Sequence, residues 1–238
     1  MVLLYHRFGL PRLSSRVPGQ YVAPVLLRWQ LDYLASKGWH GTALARMIER
    51  SALGERTQRN EFAITFDDAY TSVYERAYPI LAERRLTGTV FVVAGRIGGI
   101  NEWDRAAGDC PEPLMTAEQI KRLSDVGFEI GSHSLTHPHL TELSDKDLKR
   151  ELSDSKHVLE ELIGREVPAF SYPYGQYDDR VLAAVAAAGY KCAVCTKLGT
   201  VGSSGAYEIP RVNVRWNAVG PLLMRKIGRA LGVPDAIR

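Results

Sequence analysis

Three short segments carry side chains able to bind and activate together: Phe66-Asp67-Asp68, His133-Ser134-Leu135-Thr136-His137 and Tyr172-Pro173-Tyr174-Gly175. Adjacent aspartates at a strand end point in different directions, so one can ligate a cation while its neighbour stays free as a base beside the activated water. His133 and His137 are four apart, a spacing that in one helical turn puts both imidazoles on one face, close enough to share an ion. Two neutral imidazoles and one carboxylate leave coordination positions open for water, the pattern of a catalytic rather than a closed structural site. His6 is the candidate general acid, because an imidazole titrates near neutrality and can protonate a departing amine. Hydrolysis is therefore the first expectation.

The elements that must position these groups alternate from end to end. Strands are expected over 2–6, 62–67, 89–94, 128–132, 168–172, 190–195 and 209–214, with a very short addition at 38–40. Most are rich in Val, Ile, Phe and Tyr, and several are apolar on both faces, as in sheets covered by helices. Helices are expected over 24–37, 42–50, 71–85, 116–126, 144–163, 177–188 and 219–231. The clearest is 144–163: Ser144 is a good N-cap, Leu148, Leu152, Leu159 and Leu162 form one stripe, and Gly164 ends it. Strand–helix alternation of this kind predicts parallel βα units. The fold class expected is α/β, a distorted barrel of seven to eight βα units forming a single domain over 1–238. In such a barrel the chemistry sits where strands end. Asp67 and Asp68 close one predicted strand, His133 another, Tyr172 to Gly175 a third and His6 a fourth. The irregular stretches are 8–23, 51–60, 95–115 and 197–208; the third carries Trp103 and Asp104 and has the length of a lid or binding loop.

Composition narrows the partners. The chain has 238 residues, 45% of them hydrophobic, with 30 Lys and Arg against 27 Asp and Glu. That charge excess is too small to argue for nucleic acid, and no basic stripe interleaves with aromatics. No apolar run approaches a membrane span and no secretory leader is visible, so the expectation is a cytoplasmic protein without stable membrane insertion. Cys110, Cys192 and Cys195 cannot make a paired disulfide framework. Cys192 and Cys195 have C-x-x-C spacing, but in a strand an offset of three sends them to opposite faces, so they read as core residues.

At these residues the chain resembles the polysaccharide deacetylases, the NodB-homology domain of carbohydrate esterase family 4, from Tyr5 to about Val214. Thr65-Phe66-Asp67-Asp68 resembles the first family motif, which implies Asp67 as base and Asp68 as metal ligand. The segment from His133 to His137 resembles the second motif, with both histidines as ligands. Phe170-Ser171-Tyr172-Pro173-Tyr174-Gly175 resembles the third, a groove wall where the Tyr174 main-chain N–H would help hold the oxyanion. The resemblance implies removal of acetyl from an N-acetylated glycan or lipid-linked sugar with one divalent ion, zinc first and cobalt, nickel or iron as alternatives. Tyr172, Pro173, Tyr174, Trp103 and Arg211 are the residues expected near substrate.

The chain also departs from the family pattern. Ala69 replaces a usual glycine, and Ser171 stands where many members have an arginine that orients the base; Arg211 can supply that charge from another strand. The usual C-terminal leucine-x-histidine is missing, whereas Tyr5-His6 resembles a subgroup of biofilm-polysaccharide deacetylases with an N-terminal acid. Two other readings compete: hydrolysis of a non-sugar C–N bond, and a non-catalytic carbohydrate-binding relative. His139, after Pro138, is expected to turn away and not to ligate, His157 to be solvated and His40 to pack or face water, and the helix over 219–231 is expected to cover the barrel rather than lie on a membrane.

Overall fold

The computed structural model describes residues 1–53, 60–105 and 108–232. In chain order the elements are β1 (Val2–Tyr5), β2 (Arg7–Phe8), β3 (Tyr21–Val22), α1 (Pro24–Ser36), β4 (His40–Gly41), α2 (Leu44–Ala52), β5 (Glu61–Phe66), α3 (Tyr78–Glu83), β6 (Thr89–Val92), α4 (Glu102–Arg105), α5 (Ala117–Asp125), β7 (Glu129–Ser132), α6 (Asp145–Ile163), β8 (Ala169–Ser171), α7 (Asp179–Ala187), β9 (Cys192–Val194), β10 (Val212–Asn213) and α8 (Gly220–Ala230). The main sheet runs β10-β1-β5-β6-β7-β8-β9, with β4 also on β5, and every one of these pairs is parallel. Among the described residues the two ends of the sheet are linked by a short bridge between Val194 and Ile209, before the chain reaches β10 beside β1. This is a distorted (β/α) barrel, closed by one bridge rather than a full ladder. Pro210, without an N–H, interrupts what would have been a strand over 209–214.

Side-chain parity separates two packed layers. Val2, Ala63, Phe91, Ala169, Val194 and Ile209 fill the barrel interior with Leu44 and Met47. Leu3, Ile64, Val90, Phe170 and Ala193 point the other way, into the layer beneath the helices. Cys192 belongs to the first layer and Cys195 to the second, and both are free thiols. Gly131 has a packing reason to be glycine: an added Cβ would lie 2.4 Å from the Phe91 ring that plugs the interior.

The expected helices appear within one or two residues of their predicted ends, with one exception. The helix expected over 71–85 is a wide turn of π type, Val73–Ala77, continued by α3. Pro79 has no N–H for the Glu75 carbonyl, so the ladder slips there. Ser144 caps α6 by accepting the Asp147 N–H at 3.2 Å, and Gly164 ends it at φ 66°. The stretch 8–23, expected to be irregular, contains β3, which pairs with β2. The described part of 95–115 holds α4 and antiparallel bridges from Ile100 to Pro113 and from Tyr70 to Leu114. Among the described residues no helix is long and apolar enough to cross a membrane.

Candidate active site and metal centre

The same parity that fills the interior with Ala63, Gly131, Ala169 and Ile209 brings Asp67, His133, Ser171 and Arg211 to the barrel mouth. Asp67 is fixed first. Its N–H donates to the Tyr5 carbonyl at 3.0 Å, tying the end of β5 to β1. Its carboxylate takes both guanidinium nitrogens of Arg211, each at 2.7 Å, and the Ser171 hydroxyl at 3.2 Å. Arg211 also donates to Thr65, Ser171 and the Cys195 carbonyl. Burial alone would raise the Asp67 pKa, but the charge and hydrogen bonds of Arg211, together with the pull of His133 and His6, hold it below the usual carboxylate range.

Asp68 and Ala69 follow with φ 70° and 54°, a left-handed turn that takes Asp68 away from Arg211 and toward the histidines. Ala69 at this φ is the position where the family usually has glycine, which would adopt the conformation without a Cβ penalty. Asp68 Oδ1 lies 3.4 Å from both His133 Nε2 and His137 Nε2. The histidines do not converge through a helical turn. Ser134 and His137 have φ 64° and 67°, and the Ser134 hydroxyl accepts the His137 N–H at 2.9 Å, so a tight left-handed turn closes the pair. His133 Nδ1 donates to the Ser171 carbonyl at 2.7 Å, which turns Nε2 toward Asp68, the nitrogen that would ligate an ion; without an ion, Asp67, Asp68 and that carbonyl raise the pKa of the ring despite its burial.

This donor set fits a divalent ion. One ligand atom from each of Asp68, His133 and His137 lies within 4.8 Å of the others, all three side chains being buried. Bonds of about 2.1 Å at tetrahedral angles separate ligand atoms by about 3.4 Å. Asp68 Oδ1 is buried without a hydrogen-bond donor, a costly state for a carboxylate oxygen that a cation would relieve. Burial and the neighbouring His133 push His137 down to about 3, so its ring is neutral at physiological pH, as ligation requires.

A cavity of about 220 Å³ covers the cluster, lined among others by His6, Gln20, Trp103, Asp104, Tyr172, Tyr174 and Thr196. His6 is half-buried at the end of β1; burial lowers its pKa, against the pull of Asp68 and Asp67. Trp103 stacks on the His137 ring at 4.5 Å, and Tyr174 meets the same ring edge-on at 4.6 Å. Tyr174 itself, at φ 58° and 42% exposed, is stacked by His139 at 4.0 Å. His139 was expected to turn away; it joins this aromatic wall, held by Gln176 at 2.8 Å. Tyr172 reaches the lining, but its ring is buried and its hydroxyl donates to the Tyr207 carbonyl. Pro173 and Arg211 are buried and do not line the cavity, contrary to their expected place near substrate; Arg211 lies beneath Asp67. A larger cavity of about 420 Å³ opens at the opposite end of the strands, beside Glu129, Ala169 and Cys192, away from this chemistry.

Glu151 of α6 was not singled out from sequence. Its buried carboxylate accepts the main-chain N–H groups of Leu135 and Thr136, each at 2.9 Å, and the Thr136 hydroxyl at 2.7 Å. It therefore pins the turn between the two histidines. Glu151→Gln replaces one acceptor oxygen by a donor facing N–H groups. Metal affinity, read by competition with a chromophoric chelator, is expected to fall about tenfold. Unchanged affinity would show that the turn holds without it.

Arg211→Met leaves the Asp67 carboxylate buried without its cation and is expected to cost about 3–5 kcal/mol of unfolding free energy at neutral pH. The sign follows from the shift. In the wild type the folded pKa lies below the unfolded one, so the stabilisation exists above the unfolded value and is lost as pH falls through the folded one. In the variant the largest opposing charge is gone and burial pushes the folded pKa up against only the pull of His133 and His6, so the loss is largest at neutral pH and shrinks on acidification. Urea unfolding across pH reads both.

Residues 54–193 match the family model for polysaccharide deacetylase. The chain belongs to the polysaccharide deacetylase family. Bacillus subtilis YxkH, named for the same family, is 32% identical over 152 residues, 63% of this chain; this chain spans half the length of that relative. The poly-β-1,6-N-acetyl-D-glucosamine N-deacetylase of Staphylococcus aureus is 26% identical over 222 residues, covering 89% of this chain and 74% of that one. Among solved structures, the Streptococcus pyogenes deacetylase PplD in complex with acetate superposes with TM-score 0.81 at 25% identity, over 94% of this chain and 96% of that one. Family membership makes the cavity at the strand ends the place to look for the reaction.

Proposed function

We propose that this chain is a metal-dependent hydrolase that removes N-acetyl groups from an N-acetylated glycan. The observation that carries the reading is the meeting, in one cavity, of the Asp68, His133 and His137 ligand atoms with an arginine-held Asp67 and with His6. A divalent ion, zinc in the first instance, would be held by Asp68, His133 and His137 and would supply Lewis acidity and a more acidic water. Asp67, kept ionised and oriented by Arg211, accepts the proton of the water that attacks the amide carbonyl. The Tyr174 main-chain N–H is the proposed donor to the developing oxyanion. His6 gives its proton to the departing nitrogen, so that acetate and a free amino sugar leave. Trp103 and Tyr174 offer aromatic faces to a pyranose ring, which favours a sugar over a small non-sugar amide. The polymeric substrate in the name of the Staphylococcus aureus relative supports a poly-N-acetylglucosamine; a lipid-linked sugar has no comparable support. A non-catalytic role rested on the missing motif-three arginine, and Arg211 meets the base from another strand instead.

Purified protein supplied with zinc is expected to release acetate from N-acetylglucosamine oligomers and to lose that activity on chelation. A protein that binds zinc yet releases acetate from no N-acetylated sugar would refute the proposal.

A further inference from the structure

Building on the N-deacetylase reading, we propose that Asp104 selects the substrate. Its carboxylate favours glycan units that present hydroxyl or ammonium groups to the cavity and disfavours units that carry a carboxylate.

Asp104 sits on α4 directly after Trp103, and both line the cavity. Its Oδ2 is fully engaged: it accepts Arg7 Nη2 at 2.7 Å, Asn101 Nδ2 at 2.9 Å and the Tyr70 hydroxyl at 3.3 Å. No hydrogen bond among the described residues engages Oδ1. Among the described residues, one oxygen is thus clamped by three donors and the other has none. The clamp does not neutralise the group. Arg7 is shared with Asp109, which takes its Nη1 at 2.7 Å, so one guanidinium serves two carboxylates. Of the pair, Asp104 is in the cavity wall and Asp109 is not.

The other two carboxylates of the lining have partners of their own. Asp67 has Arg211 to itself among the cations, and Asp68 faces the two imidazoles. Among the described residues no lysine or arginine lines the cavity. A divalent ion held by Asp68, His133 and His137 would place its positive charge at those three residues, so the negative charge of Asp104 is local to the wall beside Trp103 rather than a net charge of the cavity. Such a charge attracts the amine that the reaction itself produces, and amines already present on neighbouring sugar units. It repels muramyl or uronic carboxylates in the same position. At a partly solvated rim the effect is modest, about three- to fivefold in a preference, and weaker at high salt.

The test uses zinc-supplemented full chain and three oligosaccharides of equal length: N-acetylated, free-amine, and N-acetylated with a uronic carboxylate. Binding is measured by calorimetry and turnover by acetate release. In the wild type the amine-bearing and neutral probes are expected to be preferred over the carboxylate-bearing one, and Asp104→Asn narrows that preference about three- to fivefold. Asp109→Asn, which leaves Arg7 to Asp104 alone without touching the cavity, is expected to narrow the preference in the same direction. A preference unchanged in Asp104→Asn, or widened in Asp109→Asn, overturns the assignment, as does a wild type that binds none of the probes. Binding preferences that behave as expected without any acetate release uphold Asp104 as a selector and sink the N-deacetylase reading instead.

Discussion

Asp68→Ala is expected to leave the protein with little bound metal and to lower acetate release by about 10³-fold or more. The carboxylate is the only anionic member of the three-ligand cluster, and its Oδ1 is the atom both imidazoles approach. Removing it leaves two neutral nitrogens, a pair that competes poorly with water for a hard divalent ion. The fold should survive, because Asp68 Oδ1 has no hydrogen-bond partner to lose. Elemental analysis and acetate release on the same preparation check both halves. A variant that keeps its metal and full activity would mean that the ion, if one acts, sits elsewhere.

Asp67→Asn separates the base from the ligand. The amide keeps the shape of the carboxylate but cannot take a proton, and it turns an NH₂ toward one of the two Arg211 donors. Turnover should fall by about 10²–10⁴-fold, the usual worth of a positioned base. Metal content should stay at the wild-type level, because the three ligand side chains are untouched. Loss of metal together with turnover would mean that Asp67 ligates and that the roles of the two aspartates are exchanged.

The contrast between these neighbours was only half legible in the sequence. That the four polar strand ends would meet followed from parallel βα alternation, since such strands all end at the same mouth. Asp67, His133 and His6 were found by that logic. Arg211 was foreseen only as a possible charge for the base, because its partner lies 144 residues away and nothing local marks the pair. Its buried place below the mouth follows from alternation with Ile209, a parity visible only once Pro210 had been seen to shorten the strand. The histidine spacing suggested a helical turn, whereas left-handed Ser134 and His137 close the pair. Glu151 left no local signal at all: in α6 it reads as one more polar position, and its role depends on a loop 15 residues earlier packing above it. Side chains that act through long-range pairing or through backbone N–H groups leave no periodicity to read.

The most direct test of the central claim is an anomalous-difference map from crystals of zinc-loaded protein, collected at the zinc edge. The account predicts one strong peak within about 2.0–2.2 Å of Asp68 and of the His133 and His137 Nε2 atoms, with the Asp67 carboxylate still paired to Arg211. A map with no peak there, or with its peak at other residues, would contradict it.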